Sequence, residues 1–192
     1  MSAVRLERDY FEDLYAADAD PWRFETSSYE QDKYDRTVAA LEGRRFARGL
    51  EMGCSIGVLT ERLAGVCDEL VAVDVSERAV ATAQQRLAGR DGVVVECRSL
   101  PEQTPDGPFD LIVCSEVLYY FDADLLAVVL NELAARLAPG GSLLAVHWRP
   151  ETQTYPLQGD QVHELLRARP GFELGFSKST EHYLLDRFDL TA

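Results

Sequence analysis

Residues 48–57 read R-G-L-E-M-G-C-S-I-G and run directly into V-L-T-E-R-L-A at residues 58–64. A short apolar segment ends in an acid, a small-residue turn follows, and a helical pattern begins, the order in which α/β folds present backbone N–H groups to a ligand. Gly53 and Gly57 let the chain turn with φ > 0 and approach a ligand without a Cβ in the way. The dinucleotide pattern G-x-G-x-x-G is not met, because Ser55 and Val58 stand at its second and third glycines. Glu51, two residues before the first glycine, would repel a pyrophosphate and attract a cation. The stretch therefore predicts a site for a cationic ligand rather than for NAD.

Outward from this turn, the chain of 192 residues is long enough for one domain with a real core and short for two. Its formal net charge of −14 argues against a surface built for nucleic acid and favours neutral or cationic small molecules such as amines. M-S-A-V-R-L-E-R-D-Y has no apolar signal core, and no run approaches the roughly 18 apolar residues of a membrane span, so a cytoplasmic, non-membrane protein is expected. No obligatory protein partner is evident. Cys54, Cys67, Cys97 and Cys114 are scattered without a C-x-x-C pair, which predicts reduced thiols and no metal site.

Leu6, Tyr10, Phe11 and Leu14 recur at helical spacing and predict a helix over about 6–17. A second helix is expected from Ser27 to about Glu42, opened by a capping box between Ser27 and Glu30. The aromatics Trp22, Phe24, Tyr29 and Tyr34 cluster in this leader, either covering a core edge or forming a lid. D-E-L-V-A-V-D-V reads as a strand buried on both faces that ends at Asp74. A carboxylate there can accept from both ribose hydroxyls of a nucleoside. V-V-V-E-C is a third strand, and R-S-L-P-E-Q-T-P-D-G-P is an irregular connection. F-D-L-I-V-C-S-E-V-L-Y-Y is a buried strand that brings Ser115 and Glu116 to the carboxyl edge. Asp122 caps a long helix to about Ala138, which A-P-G-G ends, and G-S-L-L-A-V-H-W is the fifth strand. After a helix over about 160–168, F-E-L-G-F and H-Y-L-L-D-R-F form an antiparallel hairpin. The expectation is an α/β three-layer sandwich: one domain over 1–192, a helical leader over 1–44, and a core over 45–192 whose seven-stranded, mostly parallel Rossmann-like sheet closes on that hairpin.

The glycine turn, Asp74, the Pro-rich loop, F-D-L-I-V-C-S-E-V-L and L-A-P-G-G resemble, in this order, class I S-adenosylmethionine-dependent methyltransferases. A narrower resemblance, to the NodS-like family of nodulation N-methyltransferases, is carried by Y-F-E-D-L-Y, D-P-W-R-F-E-T-S-S-Y-E-Q-D-K-Y, E-M-G-C-S-I-G-V-L-T, F-D-L-I-V-C-S-E-V-L-Y-Y and G-D-Q-V-H. The resemblance implies S-adenosylmethionine as cofactor, with S-adenosylhomocysteine as product. Glu51, Gly53, Ser55 and Gly57 would line its methionine part, and Asp74 and Val75 would hold the ribose and one adenine face. Glu96, where Asp is commoner, would accept from the adenine amino group beside the Cys97 N–H. Ser115 would offer its carbonyl to the cofactor ammonium. Independently of the resemblance, a leader of about forty residues before the first strand predicts that Tyr29 and Tyr34 fold over the cofactor with Trp22 nearby.

Methyl transfer needs an acceptor lone pair placed on the methyl carbon in a dry site, and an amine acceptor must arrive unprotonated. Glu116, Tyr119, Tyr120, His147 and His163 are the polar groups available for that proton, with Glu116 and His147 ranked first because their strand ends should lie beside the sulfonium. The favoured function is methyl transfer to a small-molecule amine, an amino sugar among the candidates. The alternatives are an O-methyltransferase of a natural-product pathway and a non-catalytic cofactor-binding module.

Overall fold

The computed structural model describes residues 5–191. The first four residues of the leader, where the segment read for a signal sequence begins, lie outside the described residues. One sheet organises the rest. Its strands are β1 (Phe46–Met52), β2 (Cys67–Asp74), β3 (Val93–Cys97), β4 (Phe109–Ser115), β5 (Leu137–Trp148), β6 (Phe172–Ser179) and β7 (Tyr183–Leu190), in the spatial order β3-β2-β1-β4-β5-β7-β6. The five strands β3 to β5 in that order are parallel, and β7 pairs antiparallel with both β5 and β6.

Residues alternate across this sheet, so each central strand supplies two cores. In β4, Ile112 and Cys114 face a cluster with α5 (Ala123–Arg136) and α6 (Gly159–Arg167), to which Leu126, Val129, Leu130, Leu133, Val162 and Leu166 contribute. Leu111 and Val113 face the opposite cluster, built by α1 (Arg8–Ala17), α2 (Ser28–Ala39) and α3 (Val58–Leu63) through Phe11, Tyr15, Tyr34, Leu59 and Leu63. A smaller cluster packs α4 (Glu77–Arg86) on β2 and β3 through Val80, Ala83, Ala72 and Val95. The three layers expected from the sequence are present. Among the described residues, no helix is long and apolar enough to cross a membrane, and all four cysteines are free.

Two local expectations change. Ser27 caps α2 by accepting from the Glu30 N–H at 3.4 Å, but the Glu30 carboxylate does not reach back to complete a box; it turns inward to Lys33. A-P-G-G does more than end α5. The chain is extended from Leu137, directly after Arg136, and the register against β4 shifts between Phe109 and Leu111, so the stretch becomes the bulged start of β5.

Candidate functional site

The strand order reverses between β1 and β4, which is where open α/β sheets hold ligands beyond the carboxyl ends of their strands. A cavity of about 430 Å³ lies there, bounded by the ends of β1, β2 and β4 below and by the leader above. The turn after β1 is held in a conformation that costs most residues energy. Gly53, Ser55 and Gly57 have φ of 71°, 51° and 81°, and Ser55 is the one that needs support, because its Cβ disfavours the left-handed region. Its N–H donates to Asp74 Oδ2 at 2.8 Å, and its hydroxyl bonds Tyr15 Oη of α1. A Cβ at Gly53 would come within 3.0 Å of Val117, so the turn packs against the segment after β4 as closely as its backbone allows.

Glu51 and Asp74 both face this cavity. Glu51 is 1% exposed, and its Oε2 has no hydrogen-bond partner. Burial pushes its carboxyl up to about 8, opposed by the nearby Thr60 hydroxyl and helped slightly by the Asp74 carboxylate. Asp74 accepts from two backbone amides, Ser55 N–H through Oδ2 and Ser76 N–H through Oδ1 at 3.0 Å. Burial raises its carboxyl above the ordinary value while those amides oppose the rise. It is thus less free than an exposed strand end, though each oxygen retains a lone pair.

On the far side of the cavity, Glu116 has φ of 55° immediately after β4 and is fixed by three donors. Lys33 Nζ donates to its Oε1 at 2.7 Å, while Tyr119 Oη at 2.6 Å and Trp148 N–H at 2.8 Å donate to its Oε2. Lys33, with a side chain 2% exposed, also pairs with Glu30 Oε2 at 2.9 Å. Burial disfavours the Lys33 ammonium, but Glu116 and Glu30 outweigh it and raise its pKa above the ordinary value. Tyr29, on the same helix, lines the cavity beside them with a buried hydroxyl that has no partner, and burial pushes it up to about 12.

Of the residues singled out in the sequence, Glu51, Gly53, Ser55, Asp74, Val75, Ser115, Glu116, Tyr119, Tyr120, Tyr29 and Tyr34 line the cavity together. Five do not; one of them, His163, is fully buried on the far side of His147. Gly57 begins α3, where a Cβ would meet Ala83 at 3.0 Å, so it serves close packing on α4. Glu96 is taken by the next arginine, Arg98 Nε, at 2.8 Å, and Arg98, Ser99 and Leu100 line the cavity in its place. Cys97 Sγ instead contacts the Val75 carbonyl at 3.4 Å. His147 is fully buried behind the wall: its Nε2 accepts from the Leu118 N–H at 3.2 Å, and burial holds its pKa well below the usual histidine value. The reason is the pleat: Trp148 stands at the cavity and the residue before it points to the other face. Lys33 and Glu30 were missed as site residues, although Y-E-Q-D-K-Y carries an acid and a lysine three apart on one helix face.

The strand order and the acid-tipped glycine turn at the switch point define the class I methyltransferase fold. The chain belongs to the NodS family: the model described as Nodulation protein S (NodS) matches residues 7–152. Nodulation protein S of Sinorhizobium fredii is 34% identical over 130 residues, 65% of this chain and 59% of that protein. The matches to four such nodulation proteins span between 55% and 61% of their lengths. The ubiquinone biosynthesis O-methyltransferase of Bordetella pertussis is 32% identical over 110 residues, 55% of this chain and 43% of that protein. Among solved structures, the N-methyltransferase NodS of Bradyrhizobium japonicum WM9 in complex with S-adenosylhomocysteine superposes with a TM-score of 0.86 at 27% identity, covering 96% of this chain and 98% of that one. A second structure of that protein, whose description names no ligand, covers 85% of this chain and 97% of that one at a TM-score of 0.76 and 27% identity.

Proposed function

We propose that this protein binds S-adenosylmethionine and transfers its methyl group to a small-molecule amine, with an amino sugar the first acceptor class to try. The observation that carries the reading is Glu51 Oε2, a buried carboxyl oxygen without a partner beside a glycine turn. A carboxyl that burial raises to about 8 ionises beside a cation, and the ammonium of a methionine moiety supplies one. Ser115 adds a carbonyl at the same edge, Asp74 keeps lone pairs for a ribose, and Val75 offers an apolar surface to a purine. When bound, S-adenosylmethionine supplies a sulfonium methyl that passes in line to an acceptor lone pair.

The chain's own part is placement, exclusion of water and charge. Trp22, Phe24, Tyr29 and Tyr34 cover the cavity from the leader and keep it dry. An amine nitrogen gains positive charge as it is methylated, and the carboxylates of Glu116 and Glu30 stand ready to stabilise it. Three donors leave Glu116 committed to fixing charge and orientation rather than collecting a proton. The proton leaves the product ammonium to water once the site opens. Similarity to ubiquinone O-methyltransferases supports a second reading, transfer to a hydroxyl.

Incubation with S-adenosylmethionine and paired amine and hydroxyl acceptors of the same skeleton tests the proposal. Methyl groups on nitrogen, with S-adenosylhomocysteine released in step, are expected. Methylation confined to the hydroxyl partners would transfer the assignment to the second reading, and no turnover across the panel would reject catalysis.

A further inference from the structure

Behind the cavity wall runs a line of polar contacts that the chemistry above does not use. Leu118 N–H donates to His147 Nε2 at 3.2 Å, His147 Nδ1 meets His163 Nε2 at 3.1 Å, and His163 Nδ1 meets Asp186 Oδ2 at 2.8 Å. Arg167 closes the line, donating through Nε and Nη2 to Asp186 at 2.9 and 3.0 Å. His147, His163 and Asp186 are all 0% exposed.

The donor sequence is forced. A backbone amide can only donate, so His147 Nε2 is bare and its proton sits on Nδ1. His163 Nε2 must then accept, which places the His163 proton on Nδ1, facing Asp186. Every bond points the same way, from the turn toward an anion, and each strengthens the next. The near end is the short helical turn Leu118–Tyr120. Its Tyr119 ring also packs edge-on against His147 with centroids 5.2 Å apart, and Tyr119 Oη holds Glu116.

We infer that His147, His163 and Asp186 form a positioning relay that fixes the Leu118–Tyr120 turn, and through Tyr119 the Glu116 carboxylate, rather than a path that collects the acceptor proton. The relay ends on the amide of the fully buried Leu118, which cannot give its proton up, and this excludes conduction. The link to methyl transfer rests on the proposed function; the link to the turn does not.

Two substitutions of His147 separate the contacts. His147→Gln places an oxygen where Nε2 was and keeps an acceptor for Leu118, while His147→Asn places a donor where Nδ1 was and loses that acceptor. The test combines amide exchange at Leu118 and Tyr119, S-adenosylhomocysteine affinity, turnover, and nitrogen NMR of histidine-labelled wild-type protein. The relay predicts Nδ1–H tautomers for both rings, faster exchange in His147→Asn than in His147→Gln, equal affinities, and a kcat for the Asn variant lower by roughly tenfold. An Nε2–H tautomer on either ring, or equal exchange in the two variants, would overturn it. If exchange and tautomers fit and neither variant nor wild type turns over amines, the relay stands and the proposed function fails.

Discussion

Lys33 Nζ on α2 lies 2.7 Å from Glu116 Oε1 at the end of β4, an ion pair between side chains 2% and 15% exposed. It joins the leader to the ligand edge of the sheet, and Glu30 shares the same ammonium. Buried pairs of this kind contribute little net stability against an apolar replacement of the whole set, but removing one partner strands charge in a poorly solvated place.

Lys33→Met should therefore destabilise the protein by about 3 kcal/mol, since Glu30 and Glu116 lose their shared cation. Urea denaturation measures this. A loss well under 1 kcal/mol would mean that the two carboxylates find water or protons without cost.

Asp74→Ala should weaken S-adenosylhomocysteine binding by about 1–3 kcal/mol through the lost ribose acceptor. It should also lower folding stability, because the amides of Ser55 and Ser76 lose their partner. Calorimetry and denaturation read the two effects separately. Unchanged affinity would remove Asp74 from the ribose site, and unchanged stability would remove it from the turn.

What was legible in the sequence follows from the range of the forces involved. Strands β2 and β4 announce themselves because burial on both faces demands unbroken apolar runs, and the turn at Gly53 does so because few residues adopt φ of 71°. The bulged start of β5 was hidden, since A-P-G-G looks like a plain helix stop until the pairing of Leu137 with Phe109 is seen. His147 was misplaced for a related reason. The sequence shows a strand ending in H-W but not which of two adjacent residues faces the ligand, and one step of the pleat exchanges them. Glu96 was lost to Arg98, a side-chain competition that no spacing reveals.

Glu51 gives a pH dependence. Its carboxyl, raised from an ordinary 4.5 to about 8, binds more protons folded than unfolded. Its contribution is fully present below the unfolded value and is lost as pH rises through about 8. The melting temperature of the ligand-free protein should thus fall relative to Glu51→Gln between about pH 5 and about pH 8. Parallel curves for the two proteins over that interval would contradict a buried, unpartnered Glu51.

The leader covers the cavity through Tyr29, Tyr34 and Trp22. Hydrogen exchange across residues 20–42 should slow when S-adenosylhomocysteine is added, as expected of a lid that opens to admit ligand. Identical protection with and without it would make these helices a fixed part of the core.

The central claim is that the glycine turn with Glu51 is built for the cationic methionine end of S-adenosylmethionine and not for a dinucleotide. Isothermal calorimetry of wild type and Glu51→Gln with S-adenosylhomocysteine, and of wild type with NAD, tests it directly. The account predicts binding of S-adenosylhomocysteine to wild type, at least about tenfold weaker binding to Glu51→Gln from the loss of one charged hydrogen bond, and no heat with NAD. NAD binding as tight as that of S-adenosylhomocysteine, or equal affinity in the two proteins, would contradict it.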